Sequence, residues 1–145
     1  MKRSLLIAFA LLALVVGFAL VAQWQPPSAV AKPKLSERLF EMRTYTTHAG
    51  KLSHLHDRFR NHTNHLFVKH GMSLIAYWTP VDQKDTLVYV LAYPDRAARD
   101  KSWDGFINDP EWKRVFAESH KTAGGPIVKD VVELFLKPTD YSPIR

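Results

Sequence analysis

Glu41, Arg43 and Tyr45 occupy alternate positions of one segment, and Tyr89 lies in a second segment of similar character. Residues two apart on an extended strand share a face, so a carboxylate, a guanidinium and two phenols can look into one space. Such a set can orient a small polar-headed ligand, with Arg43, Tyr45 and Tyr89 as its contacts. Glu41, beside Arg43, can act as a general base if burial raises its pKa. The same spacing allows a plainer role, in which Glu41 and Arg43 pair with each other's neighbours across the sheet or across a subunit interface.

Seven histidines invite a metal reading. His62 and His65, three residues apart on a predicted helix, could share a divalent ion, but Arg58 and Lys69 beside them disfavour a cation and no nearby carboxylate completes the shell. His54 and His65 read as solvated, and His56 and His70 as hydrogen-bonded structural residues, His70 being suited to a helix C-terminus. The absence of cysteine removes disulfides, thiolate metal sites and a Cys nucleophile. Glycine-rich phosphate loops, a Gly-x-Ser-x-Gly elbow and a His-Glu-x-x-His helix are also missing. The sequence thus calls for neither a metal nor a cofactor.

The formal charge is +6, of which Lys2 and Arg3 supply two. The other basic residues alternate with acids, as in Asp95-Arg96-Ala97-Ala98-Arg99-Asp100-Lys101. That pattern is a solvated surface and not a nucleic-acid footprint.

The elements that must position these side chains follow from periodicity and punctuation. Leu39–Thr46 alternates Phe40, Met42 and Thr44 against Glu41, Arg43 and Tyr45, which predicts a strand with one apolar and one polar-aromatic face. Lys51–His70 predicts a helix whose Leu52, Leu55, Phe59, Thr63, Leu66 and His70 share a core-facing arc, with His54, Arg58, His65 and Lys69 on the opposite side. Gly71 supplies its C′ residue. Ser73–Thr79 and Thr86–Tyr93 form a hairpin, Pro94-Asp95 opens a second helix, and Asp109-Pro110 restarts it with a cap and a first-turn proline. Trp103, Phe106, Trp112 and Phe116 read as core at helical spacing. Ile127–Leu136 is the last strand. The order β-α-β-β-α-β predicts an α+β, ferredoxin-like sandwich: an antiparallel sheet with two helices on one face. The other face, where Glu41, Arg43, Tyr45 and Tyr89 are placed by this reading, then needs a cover, and a second copy of the chain supplies it as a homodimer.

Residues 1–31 read as a signal peptide or membrane anchor. Lys2 and Arg3 precede an uncharged run from Leu5 to Ala22, 18 residues that would span about 27 Å as a helix. Pro26 and Pro27 break it, and Ala29-Val30-Ala31 fits cleavage between Ala31 and Lys32. Cleavage leaves a periplasmic or extracellular protein; retention leaves it anchored by residues 5–22, its only membrane contact. Residues 32–37 are a tether, and residues 38–145 are the domain.

Several separated phrases of that domain resemble the NIPSNAP family: Phe40-Glu41-Met42-Arg43-Thr44-Tyr45 followed by Gly50-Lys51-Leu52, His70-Gly71, Tyr77-Trp78-Thr79, Val88-Tyr89-Val90-Leu91-Ala92-Tyr93 leading into Ala97-Ala98-Arg99, and Asp109-Pro110-Glu111-Trp112. The resemblance runs from about Leu39 to Pro143. It implies a ferredoxin-like fold of the dimeric α/β-barrel superfamily, in which two sheets close around a shared interior. It also implies a protein that binds a small organic ligand or a partner protein, with a cofactor-independent monooxygenase or isomerase as the alternative.

Overall fold

Side-chain alternation folds four segments into one antiparallel sheet. The computed structural model describes residues 38–145; the segment 1–31, the apolar run 5–22, the Ala31–Lys32 junction and the tether 32–37 lie outside the described residues. Strands β1 (Leu39–Thr47), β2 (Ser73–Trp78), β3 (Thr86–Tyr93) and β4 (Val128–Leu136) lie in the order β2-β3-β1-β4. With β1 and β3 central and helices between β1 and β2 and between β3 and β4, this is the ferredoxin-like arrangement. Among the described residues no helix is long and apolar enough to cross a membrane.

The first helical region is not uniform. Helix α1 (Leu52–Arg58) passes into a π-helical turn (Phe59–Thr63) and then into α2 (Asn64–Lys69). Of the predicted core arc, Leu55, Phe59, Thr63 and Leu66 are buried, and Leu52 and His70, at its two ends, are half-buried. Arg58 departs from its predicted solvent side: it is buried as well, because a later helix packs over that flank. Gly71, at φ +82°, takes the left-handed backbone that ends α2.

Helices α3 (Arg96–Asn108) and α4 (Pro110–Thr122) begin where the sequence places their caps. Asp95 accepts a hydrogen bond from Ala98 N at 2.8 Å, and Asp109 accepts one from Glu111 N at 2.8 Å. Asp109 also binds Lys69 Nζ at 2.8 Å and His70 Nε2 at 2.7 Å, which ties the start of α4 to the end of α2. Gly105 leaves room for this tie, since a Cβ there would lie 2.8 Å from His70 Nδ1. One carboxylate therefore caps a helix and joins two. Asp109→Ala should lower the melting temperature by several degrees in a calorimetric scan, while Asp109→Asn, which keeps the cap, should recover part of the loss.

All the helices cover one sheet face, and the core between them is aromatic. Phe67 sits at its centre, with ring centroids 4.8 Å from Phe106, 5.5 Å from Trp103, 6.0 Å from Phe59 and 6.1 Å from Tyr89. The two faces of β1 are the reverse of the sequence expectation. Glu41, Arg43 and Tyr45 point to the helices, and Phe40, Met42 and Thr44 lie on the open side. The register carries this across the sheet: Arg43 lies opposite Tyr89 on β3 and Glu133 on β4, whereas Met42 lies opposite Val90 and Leu134. The polar face is the buried one because α3 brings a partner for its charges.

Candidate functional site

Arg99 and Trp103 stand four residues apart on α3, so one helix face delivers both to β1. There they meet Glu41, whose carboxylate is wholly buried and accepts five hydrogen bonds. Oε1 receives Arg43 Nη1 and Arg99 Nη2, each at 2.7 Å. Oε2 receives Trp103 Nε1 at 2.9 Å, Tyr93 Oη at 3.0 Å and Arg99 Nε at 3.1 Å. Glu133 on β4 joins the group, with carboxylate oxygens 2.7 Å from Arg43 and 3.2 Å from Arg99. Arg99 Nη1 also meets Asp100 at 3.2 Å on the solvent side, so two guanidiniums are shared among three carboxylates, and Arg43 stacks 4.3 Å above the Trp103 ring.

The electrostatics follow from this packing. Burial pushes the Glu41 carboxyl upward, but hydrogen bonds from Arg99, Arg43 and Trp103, together with the Arg43 charge, outweigh it and hold the pKa at about 2. Five hydrogen bonds occupy its oxygens and favour the ionised form, so Glu41 stands in this structure as the buried partner of Arg43 and Arg99. Burial raises Tyr93, as does the adjoining Glu41 charge.

Beside this saturated group lies an unsaturated one. The Tyr89 hydroxyl, Arg43 Nε and Arg58 Nε are buried without a hydrogen-bond partner. Tyr45 and Tyr89 pack edge to face at 5.2 Å, and Arg43 lies 5.5 Å from the Tyr45 ring. Burial drives the Tyr89 phenol well above its ordinary value, so it remains a neutral donor. The structure thus brings Glu41, Arg43, Tyr45 and Tyr89 together as predicted, but under the helices instead of on the open face.

The remaining candidates are dispersed. His62 is half-buried between helices and His65 is exposed. Among the described residues no group of three or more His, Cys, Asp or Glu is placed to hold a metal ion. Arg99, Trp103, Tyr93 and Arg58 are the site residues that sequence reasoning missed. Arg99 stands in the charge-alternating stretch read as solvated surface; its spacing from Trp103 is the one local signal that could have paired it with a buried partner.

The open face of the sheet is apolar. Trp78, Val132, Leu134 and Leu136 are respectively 52%, 64%, 48% and 38% exposed. At one end the C-terminal stretch borders a cavity of about 360 Å³ lined by Phe40, Ile75, Val90, Leu136, Pro138 and Ile144.

A family model described as NIPSNAP matches residues 40–143. Among solved structures, the domain is similar to a NIPSNAP domain protein from Burkholderia xenovorans (23% identity, 72% of this chain and 98% of that one, TM-score 0.62). It is similar also to a family protein of unknown function from Agrobacterium tumefaciens (16% identity, 76% and 96%, TM-score 0.66). A more distant likeness joins it to SnoaB, a cofactor-independent oxygenase from Streptomyces nogalater (12% identity, 74% and 98%, TM-score 0.52). At these identities the structural likeness establishes the fold alone, an antiparallel sheet with helices on one face. No curated protein matches the sequence.

Proposed function

The chain belongs to the NIPSNAP family, and from that premise we propose that it is an exported homodimeric module that binds a small organic ligand or a partner protein. The carrying observation is the bare apolar sheet face. Met42, Val88, Val90, Val132, Leu134 and Leu136 share it by register, and a surface uncharged across its centre is complementary to itself. A second sheet laid on it would remove these side chains from water and leave the helix-covered polar site intact in each subunit. Export rests on the Leu5–Ala22 run and the Ala29-Val30-Ala31 motif.

The alternative, a cofactor-independent oxygenase or isomerase, draws on the fold likeness to SnoaB, and Glu41 would have to give up some of its five hydrogen bonds to serve it as a base. A binding role needs none. Sedimentation of the domain from Lys32 onward tests the dimer: a single species of twice the chain mass is expected at micromolar concentration, and a monomer would refute it. Leu134→Glu places a charge at the middle of the proposed contact on a side chain already half exposed. It should convert the dimer to monomer, by an affinity loss of about 100-fold or more, with circular dichroism unchanged.

A further inference from the structure

Arg58, the last residue of α1, is 4% exposed and has no carboxylate within ion-pair distance among the described residues. Arg43, the other buried arginine, and the half-buried Arg99 share Glu41 and Glu133. Arg58 has instead one hydrogen bond, from Nη1 to Ser119 Oγ on α4 at 3.2 Å, and two aromatic neighbours, Trp112 and Phe116, whose ring centroids are each 5.4 Å from its guanidinium carbon. Its Nε is unpartnered. Burial lowers its pKa, yet a guanidinium does not give up its proton in a protein, so a charge stands here uncompensated. A buried charge without a counter-charge disfavours the fold, so its presence calls for a compensating role.

The same side chain lines a cavity of about 210 Å³ between α1 and α4, together with His54, Asn61, His62, Glu118 and Ser119. Two acids border this cavity, and both are already engaged: Asp57 pairs with Arg60 at 3.0 Å and Glu118 with Arg114 at 2.6 Å. Arg58 alone among the lining ions lacks a counter-charge. The π-helical turn begins on the next residue, Phe59, and runs along the cavity wall through Asn61 and His62. Turns of this kind are frequent at functional sites.

We propose that this cavity is a binding site for a small organic monocarboxylate, received by the Arg58 guanidinium with Ser119, Asn61 and His62 as neighbouring polar groups. The carboxylate matches the guanidinium fork and neutralises one charge with one. A phosphate dianion would overcompensate Arg58 and face Asp57 and Glu118 at the rim. The volume limits the ligand to a few heavy atoms beyond its carboxylate. The proposal rests on the binding-module reading and gives that module a ligand class. The two fail separately, because sedimentation reports the dimer and the following titration reports the site.

His120 on α4 supplies an internal reporter, its ring 4.1 Å from that of Phe116. Burial and the positive charges of Arg58 and Lys51 hold its pKa below the ordinary value, so an anion on Arg58 should raise it. The experiment is an NMR titration of the full chain with acetate, propionate and benzoate, with benzamide as the uncharged counterpart of benzoate and inorganic phosphate as the dianion. At least one acid is expected to bind saturably at millimolar concentration or below, shifting the Arg58 Nε–H resonance and raising the His120 pKa. Benzamide and phosphate should bind at least tenfold more weakly, by roughly the value of one charge-assisted hydrogen-bond pair. Arg58→Met should abolish binding with an unchanged or higher melting temperature, since it removes an unpaired buried charge. Ser119→Ala, which frees the guanidinium from its one anchor, should weaken binding several-fold in a folded protein. The proposal is overturned if none of the acids moves Arg58, if benzamide or phosphate binds as tightly, if Arg58→Met binds undiminished, or if that variant loses its fold while Ser119→Ala binds normally.

Discussion

Glu41→Gln is expected to destabilise the domain by about 3–5 kcal/mol in urea denaturation. The amide keeps the shape but removes the charge on which Arg43, Arg99, Trp103 and Tyr93 converge. Glu133 and Asp100, the remaining acids, are both far more exposed than Glu41 and meet the guanidiniums from the solvent side. The same group sets the acid limit of the fold. Its pKa is about 2 in the folded state against 4.5 ordinarily, so the native state holds its proton more weakly than the unfolded chain does. Its contribution, of order 3 kcal/mol, is fully present above pH 4.5 and is lost as pH falls towards 2. Acid unfolding of wild type and Glu41→Gln should converge over that window. A constant gap between the two curves down to pH 2 would show that the carboxylate is not the titrating anchor.

Phe67→Ala should cost about 3–5 kcal/mol, and Phe67→Leu roughly half as much. The ring touches residues of the π turn, β3 and α3, and thus joins the two helical regions to the sheet they cover. Alanine leaves a cavity whose walls come from three elements that cannot collapse together. Against a total stability on the order of 5–15 kcal/mol, the alanine variant should retain its helical circular dichroism but unfold at much lower urea concentration. A loss below about 1 kcal/mol would mean that the core repacks freely around this position.

The local parts of the fold were readable because local physics sets them. Alternation placed β1 and β3, Asp95 and Asp109-Pro110 announced two helix starts, and Gly71 marked a helix end. The direction in which β1 faces was not readable. Phe40 and Met42 are as suited to a core as Tyr45 is, and the choice is made by Arg99 and Trp103, more than fifty residues away. Arg58 escaped for a similar reason. A helical wheel registers which side a residue takes on its own helix, but α4 covers the flank that the wheel assigns to solvent. Whether Glu41 is a base or an anchor likewise depends on donors from α3 and β3 that no spacing within β1 can reveal.

The π turn at Phe59–Thr63 lets the first helical region hold one residue more than a regular helix without changing the phase of its two halves. Its five residues go about as far round the axis as four α-helical ones, so Leu55 before it and Leu66 after it both face the core. Removing one residue near Asn61 should therefore leave Leu66 and Phe67 on the core side while the stretch becomes uninterrupted α-helix. The cost of such a deletion would fall on the wall beside Arg58, where the wider turn stands, and not on the core.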